Sequence, residues 1–241
     1  EHGKLTCKKL NIEIKRNADH LFLMDDDLRS LLKDHGFVVE GQPMKEIDVN
    51  RFEKLIATNP AVESVEVFEA VNGEVTIKAV QRRPIVRIIN SKDETFYIDD
   101  KGKLMPWSDN YTAPVLLVNG FLNDTYGGLY HYSVAEIEND TVLEPRTQVD
   151  EIFELAKLID ADTFLTNQIV QINVTADKRF EMTARVGNHK IILGTADGAA
   201  EKFKKLKLFY TEGLNSTGYW NRYSVINLEY KNQVVCTRRP L

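Results

Sequence analysis

The sequence predicts an α+β chain. A small βααββ domain, residues 1–81, is followed by a larger, mostly antiparallel β-sheet domain with flanking helices, residues 82–241. Three observations carry this prediction. The hydrophobic period in the first domain switches in the order strand, helix, helix, strand, strand. Strand-like runs dominate the rest of the chain. Turn residues separate those runs, and Asn72-Gly73 is the strongest of these signals.

Leu10, Ile12 and Ile14 alternate with Asn11, Glu13 and Lys15, the spacing of a first strand. Asp25-Asp26-Asp27 then precedes Leu28, Leu31 and Leu32, which share one helical face. Carboxylates suit a helix start, where free N–H groups and the positive end of the dipole lie. Gly36 is a C-terminal stop, and Glu40-Gly41-Gln42-Pro43 is a loop. A second helix starts at Asp48, carries the stripe Phe52, Leu55 and Ile56, and ends at Asn59-Pro60. Proline there lacks an N–H and disfavours helix at the residue before it. Val62, Val65 and Val67 lead to Asn72-Gly73, and Val75, Ile77 and Ala79 form the return strand.

In the second domain the strand-like runs are Ile85–Ile89, Thr95–Ile98, Val115–Val118, Ile169–Val174, Phe180–Val186, Ile191–Leu193 and Val225–Val235. One amphipathic helix carries Val149, Ile152, Phe153, Leu155, Ala156 and Ile159. Another carries Phe203, Leu206, Leu208, Phe209 and Tyr210 and ends near Gly213. Residues Asn119–Pro145, rich in Asn, Asp, Gly and Tyr, show no clear period. Pro84, inside a strand-like run, marks an edge or a break between sheets, as at a domain joint. Arg82 and Arg83 beside it either anchor that joint to carboxylates or are simply solvated.

A chain of 241 residues, 43% of them apolar, can bury a real core. Its formal charge of −5 argues against a general nucleic-acid binder. The basic residues are scattered, apart from Lys204-Lys205 within Lys202–Lys207 and Arg238-Arg239. The two cysteines, Cys7 and Cys236, match neither a disulfide scaffold nor a zinc spacing, and they bridge only if the first and last strands meet. No apolar run reaches the ~20 residues that span a bilayer, and no signal peptide is present. The chain opens at Glu1, so this says little about the native protein.

No catalytic constellation emerges. The five histidines, His2, His20, His35, His131 and His189, pair with no His, Cys or Glu at ligand spacing and read as structural or exposed. Gly127-Gly128 is isolated, and no G-x-S-x-G elbow occurs. Asp25-Asp26-Asp27 reads as helix capping rather than a metal site. Asp99-Asp100-Lys101-Gly102 is a short turn without calcium-loop spacing. Asp160 and Asp162 read as a helix exit rather than a catalytic pair, and the glycosylation-type triplets at Asn110, Asn123 and Asn173 carry no weight. The expectation is a binding protein, not an enzyme, with no cofactor and no metal.

Four segments carry a family resemblance. They are Asn59-Pro60-Ala61-Val62-Glu63-Ser64-Val65-Glu66-Val67, Val80-Gln81-Arg82-Arg83-Pro84-Ile85-Val86, Phe96-Tyr97-Ile98-Asp99-Asp100-Lys101-Gly102 and Asn232-Gln233-Val234-Val235-Cys236. In order and spacing they resemble the extracytoplasmic region of the FtsQ/DivIB cell-division family, with the last segment closest to its Bacteroidetes-type members. The resemblance implies a POTRA domain, a β domain and a membrane helix lying before Glu1. It places this region on the periplasmic face of the inner membrane, as part of a non-enzymatic divisome scaffold at the septum. The implied partners are small single-pass coiled-coil proteins of the FtsB/FtsL type. Docking is expected on the last strand, Ser224–Cys236, and the residues before it, with Tyr219, Trp220, Arg222, Tyr223, Ile226, Leu228, Tyr230 and Val234 as candidate contacts. The free edge of the POTRA sheet is a second candidate. The alternative reading is a POTRA-containing outer-membrane assembly or transport accessory, or another envelope adaptor.

Overall fold

The structure, a computed structural model, describes residues 5–16, 21–108 and 111–240. His2, His20 and Asn110 lie outside the described residues. The chain forms two compact units. The first ends at Arg83 and includes the segment Ser108–Thr112, and the second comprises Pro84–Trp107 and the chain from Ala113 onward.

The first unit runs β1 (Lys9–Lys15), α1 (Asp25–Asp34), α2 (Val49–Ile56), β2 (Val62–Glu69) and β3 (Glu74–Gln81). This is the βααββ order of the sequence pattern. The three-stranded sheet is ordered β1-β3-β2, with β1 parallel and β2 antiparallel to β3. Asp27 caps α1 by accepting from the Met24 N–H at 2.8 Å, and Asp48 caps α2 by accepting from the Arg51 N–H at 3.1 Å. Both helices lay their apolar stripes on one face of the sheet. Leu28, Leu32, Phe52 and Ile56 meet Leu10, Val75, Ile77 and Ala79, all buried. Each large side chain so buried contributes about 1.5–3 kcal/mol. The Asn72-Gly73 turn requires glycine twice over. Gly73 has φ +86°, and a Cβ there would sit 2.9 Å from the Thr6 carbonyl oxygen.

The second unit is built on a nine-stranded sheet. In chain order it comprises β4 (Pro84–Ile89), β5 (Thr95–Asp99), β6 (Leu104–Pro106), β7 (Leu116–Gly120), α3 (Tyr126–Leu129), α4 (Val134–Glu138), α5 (Val149–Asp160) and α6 (Thr163–Gln168). Then follow β8 (Ile169–Val174), β9 (Phe180–Ala184), β10 (Lys190–Gly194), α7 (Ala199–Leu208), α8 (Asn215–Thr217), β11 (Tyr223–Asn227) and β12 (Val235–Arg238). The strand order is β12-β11-β10-β9-β8-β7-β4-β5-β6. Three neighbouring pairs, β4/β7, β7/β8 and β10/β11, are parallel, and the others are antiparallel. Ile172 and Val174 are buried while Gln171 and Asn173, which alternate with them, are half-buried, so the core lies on one face of the sheet. Val149, Ile152 and Leu155 of α5 and Phe203 and Leu206 of α7 complete that core.

Several local readings change. Val225–Val235 is not one strand but two, β11 and β12, paired antiparallel around a loop. Asn232, at φ +60° within that loop, is what the strand-like apolar spacing concealed. Asp162 does not close α5 but opens α6, accepting from the Phe164 and Leu165 N–H groups at 2.8 and 3.3 Å. Within Asn119–Pro145, α4 starts with a reciprocal capping box. The Ser133 Oγ accepts from the Glu136 N–H at 3.3 Å, and the Glu136 carboxylate accepts from the Ser133 N–H at 2.6 Å. Pro84 stands at the first position of β4, where a missing N–H costs the ladder least.

Candidate functional site

The C-terminal hairpin is positioned from α7 outward. α7 continues through a wide turn of π-helical spacing, Phe209–Leu214, into α8, which stops at Gly218 with φ +69°. The next residues, Tyr219 to Arg222, lead into β11. Tyr210, on the π-turn, is fully buried and shares a hydrogen bond with Nε2 of His189 at 2.5 Å. Burial pushes the Tyr210 phenol up to about 12 and holds the His189 imidazole below its usual range. The Trp220 ring packs 5.3 Å from the Tyr210 ring, and the Tyr223 ring 6.1 Å from that of Phe209. Aromatic packing therefore fixes where β11 begins.

β11 pairs with β10 in parallel register, Ile191 opposite Ile226. β12 lies outside it, at the end of the strand order, with Cys236 opposite Ile226 and Val235 opposite Asn227. The Arg239 N–H donates to the Arg222 carbonyl at 2.9 Å. Strand residues alternate in direction, so Thr237 and Val235 share that inward orientation, while Cys236 and Arg238 turn their N–H and C=O groups to the outer edge. That edge is a row of backbone donors and acceptors at the limit of the sheet.

The candidate contacts fall into two classes. Tyr219 and Tyr230 are exposed, at 45% and 48%, and Arg222 lies over the Tyr219 ring at 4.4 Å. Trp220, Tyr223 and Val234 are half-buried and pack against the core. Ile226 and Leu228 are fully buried. Their side chains seat the strand in the core. The apolar alternation that suggested them as contacts is the alternation of a core-facing strand.

The candidate contacts leave out three residues of this region. Val235 is 40% exposed on the outer strand. Arg238 is exposed there with its backbone outward. Lys205 of α7 donates to the carbonyls of Leu228, Tyr230 and Gln233 at 2.9, 2.7 and 3.4 Å. The Lys204-Lys205 pair stood out in the sequence, but its reach to a loop 23 or more residues away did not. The region is locally basic. Residues 199–240 hold eight lysines and arginines against three glutamates, in a chain of net charge −5. One of those glutamates, Glu229, is paired with Arg179.

Elsewhere the polar groups singled out in the sequence serve turns and caps. The Asp99 carboxylate accepts from the Lys101 and Lys103 N–H groups at 3.0 and 2.7 Å, and His35 Nδ1 lies 2.9 Å from the Leu31 carbonyl at the end of α1. Cys7 and Cys236 are free thiols. Among the described residues, no three His, Cys, Asp or Glu side chains gather where a metal ion would fit, and no helix is long and apolar enough to cross a membrane.

Comparison with known proteins agrees with this architecture in both units. Residues 5–80 match the POTRA-like domain family. No curated protein matches the chain. Residues 83–237, well over half of the chain, match the family described as FtsQ/DivIB, C-terminal related, and the chain belongs to that family.

Proposed function

We propose that this protein is a non-enzymatic scaffold of the division machinery at the septum. It acts on the periplasmic face of the inner membrane and docks an extracytoplasmic segment of a small FtsB/FtsL-type coiled-coil protein. The family supports the division-related scaffold role. The observation that carries the docking mode is the position of β12 at the outer end of the nine-stranded sheet, with Tyr230, Val235 and the Tyr219–Arg222 pair exposed around it. A partner strand added there gains main-chain hydrogen bonds for affinity, and the flanking side chains give selectivity. Tyrosine, tryptophan and arginine are the side chains that most often dominate binding energy where an interface buries them.

Removing the last strands is a poor test, because it also removes the buried Ile226 and Leu228. Arg238→Pro is sharper. The Arg238 N–H points outward, so proline deletes a donor on the docking edge and leaves the bonds to β11 in place. In a titration with the extracytoplasmic parts of the FtsB/FtsL-type proteins of the same organism, the unaltered protein should bind saturably. Arg238→Pro should bind at least tenfold more weakly with an unchanged melting temperature. Equal binding by both would reject strand addition at β12.

A further inference from the structure

Between β11 and β12 the chain makes a loop, residues 228–234, longer than the two to five residues usual for a hairpin. Such a loop costs entropy to hold in one shape, and the short outer strand that follows it has a sheet partner on only one side. This loop is nevertheless tied down at several points. The Leu228 N–H donates to the Ile192 carbonyl at 2.9 Å, and the Glu229 carboxylate is paired with Arg179. The Glu229 N–H also donates to the Asn227 side-chain oxygen at 2.9 Å, and Lys205 supplies three further ties. Its ammonium has three N–H groups, and three carbonyls of this one loop lie within hydrogen-bond reach: Leu228 at 2.9 Å, Tyr230 at 2.7 Å and Gln233 at 3.4 Å. Those carbonyls span nearly the whole loop, and Tyr230, exposed at its tip, is bound through its own backbone.

We infer that Lys205 is a positioning residue for the docking edge: it fixes the 228–234 loop, and so the register and orientation of β12, before a partner arrives. This inference rests on the docking reading above. Its physical basis is that a strand held in its bound conformation loses less freedom on association than one that must first be ordered. Lys205 lies in the last turn of α7, whose Phe203 and Leu206 are buried in the core, so the clamp is mounted on a rigid element. Its Nζ is turned to the loop carbonyls, which separates its role from that of a contact residue.

The test compares the unaltered protein with Lys205→Met in two readouts. These are amide hydrogen exchange and titration with the FtsB/FtsL-type extracytoplasmic segments of the same organism. Exchange in residues 229–238 should accelerate about tenfold while Ile169–Val174 stays unchanged, and affinity should fall about tenfold. Faster exchange with equal affinity would overturn the positioning role, and so would weaker binding with unchanged exchange, which would make Lys205 a direct contact. Failure of the unaltered protein to bind any segment rejects the docking reading itself, an outcome distinct from equal binding by both forms. Lys205→Arg guards against a misfolded Lys205→Met. It keeps the charge but offers a planar fork in place of three divergent N–H groups, so intermediate values are expected in both readouts. Full equivalence to lysine would reject the three-point clamp.

Discussion

Nε2 of His189 and the hydroxyl of Tyr210 share a hydrogen bond of 2.5 Å inside the core, with the Trp220 ring packed on the tyrosine. Burial keeps this imidazole neutral. The Trp220 backbone acts against burial, and the charge of Arg239, smaller again, acts with it. The folded-state pKa of His189 therefore lies below the ordinary 6.5, and the unfolded chain takes up the proton first. Stability contributed by the neutral form is complete above that ordinary value and is lost as pH falls below it. The melting temperature should drop between pH 7 and pH 5 more steeply in the unaltered protein than in His189→Gln. Asp124 and Glu151, whose carboxyls burial pushes up, oppose that trend in both proteins and cancel in the comparison. Parallel pH profiles would remove His189 from the account.

Ile226 and Tyr230 are four residues apart and should behave in opposite ways. Ile226 is fully buried, and truncation to alanine should cost about 2–5 kcal/mol of stability. Tyr230 is 48% exposed, and Tyr230→Ala should move stability by no more than about 0.5 kcal/mol. On the proposed function it should weaken partner binding several-fold. Denaturant melts of the two variants, with titration of Tyr230→Ala, check the pair. A melting temperature that collapses in Tyr230→Ala would place that ring in the core.

The sequence announced the first unit almost completely. Its apolar residues recur at clean periods, and its punctuation, Asp48, Gly36, Asn59-Pro60 and Asn72-Gly73, acts locally, so each signal can be read in place. In the second unit the strands β4, β5, β8 and β10 were legible for the same reason. What was lost had two causes. Some signals were present and went unread, such as the Ser133 and Glu136 capping box of α4, because a short helix in polar sequence has no long periodic face. Others depend on tertiary partners. An alternating run such as Val225–Val235 suits one strand or two, and only the Lys205 clamp and the left-handed Asn232 decide for a hairpin. The candidate contacts suffered likewise: alternation marks a strand's faces but does not say which face is covered.

Asp162 joins two elements. It caps α6 through the Phe164 and Leu165 N–H groups, and Lys207 of α7 donates to its other oxygen at 2.6 Å. That ammonium, first, and the two N–H groups hold its carboxyl below the usual range. Asp162→Asn keeps an oxygen for the cap and loses the ion pair, which is partly exposed and worth at most about 1 kcal/mol. Asp162→Ala loses both and should cost about 1 kcal/mol more. Because the folded pKa is depressed, the charged form's contribution is complete above the unfolded value near 3.8 and is lost as pH falls from there through the lower folded value. Below pH 3.8 the difference between the unaltered protein and Asp162→Asn in urea melts should therefore shrink steadily as pH falls. A difference that does not shrink with falling pH would mean that Lys207 is held by something other than the carboxylate charge.

The local excess of lysine and arginine over residues 199–240, in a chain that is acidic overall, bears on how fast a partner arrives. Charges at the rim of an interface act mainly on the encounter rate, and salt screens them beyond about 8–10 Å at physiological strength. On the proposed function, main-chain pairing and aromatic burial at β12 set how long the complex lasts. If the docked segment carries carboxylates opposite this surface, raising the salt from about 0.05 to 0.5 M should slow association several-fold and leave dissociation nearly unchanged. Arg222→Glu and Lys231→Glu, on exposed residues outside the β11 and β12 strands, should reproduce the slower association at low salt. Stopped-flow or surface-resonance kinetics separate the two rates. A salt effect confined to dissociation would move the charges from the rim into the interface itself, and the absence of any salt effect would leave strand pairing and the aromatic rim to account for recognition alone.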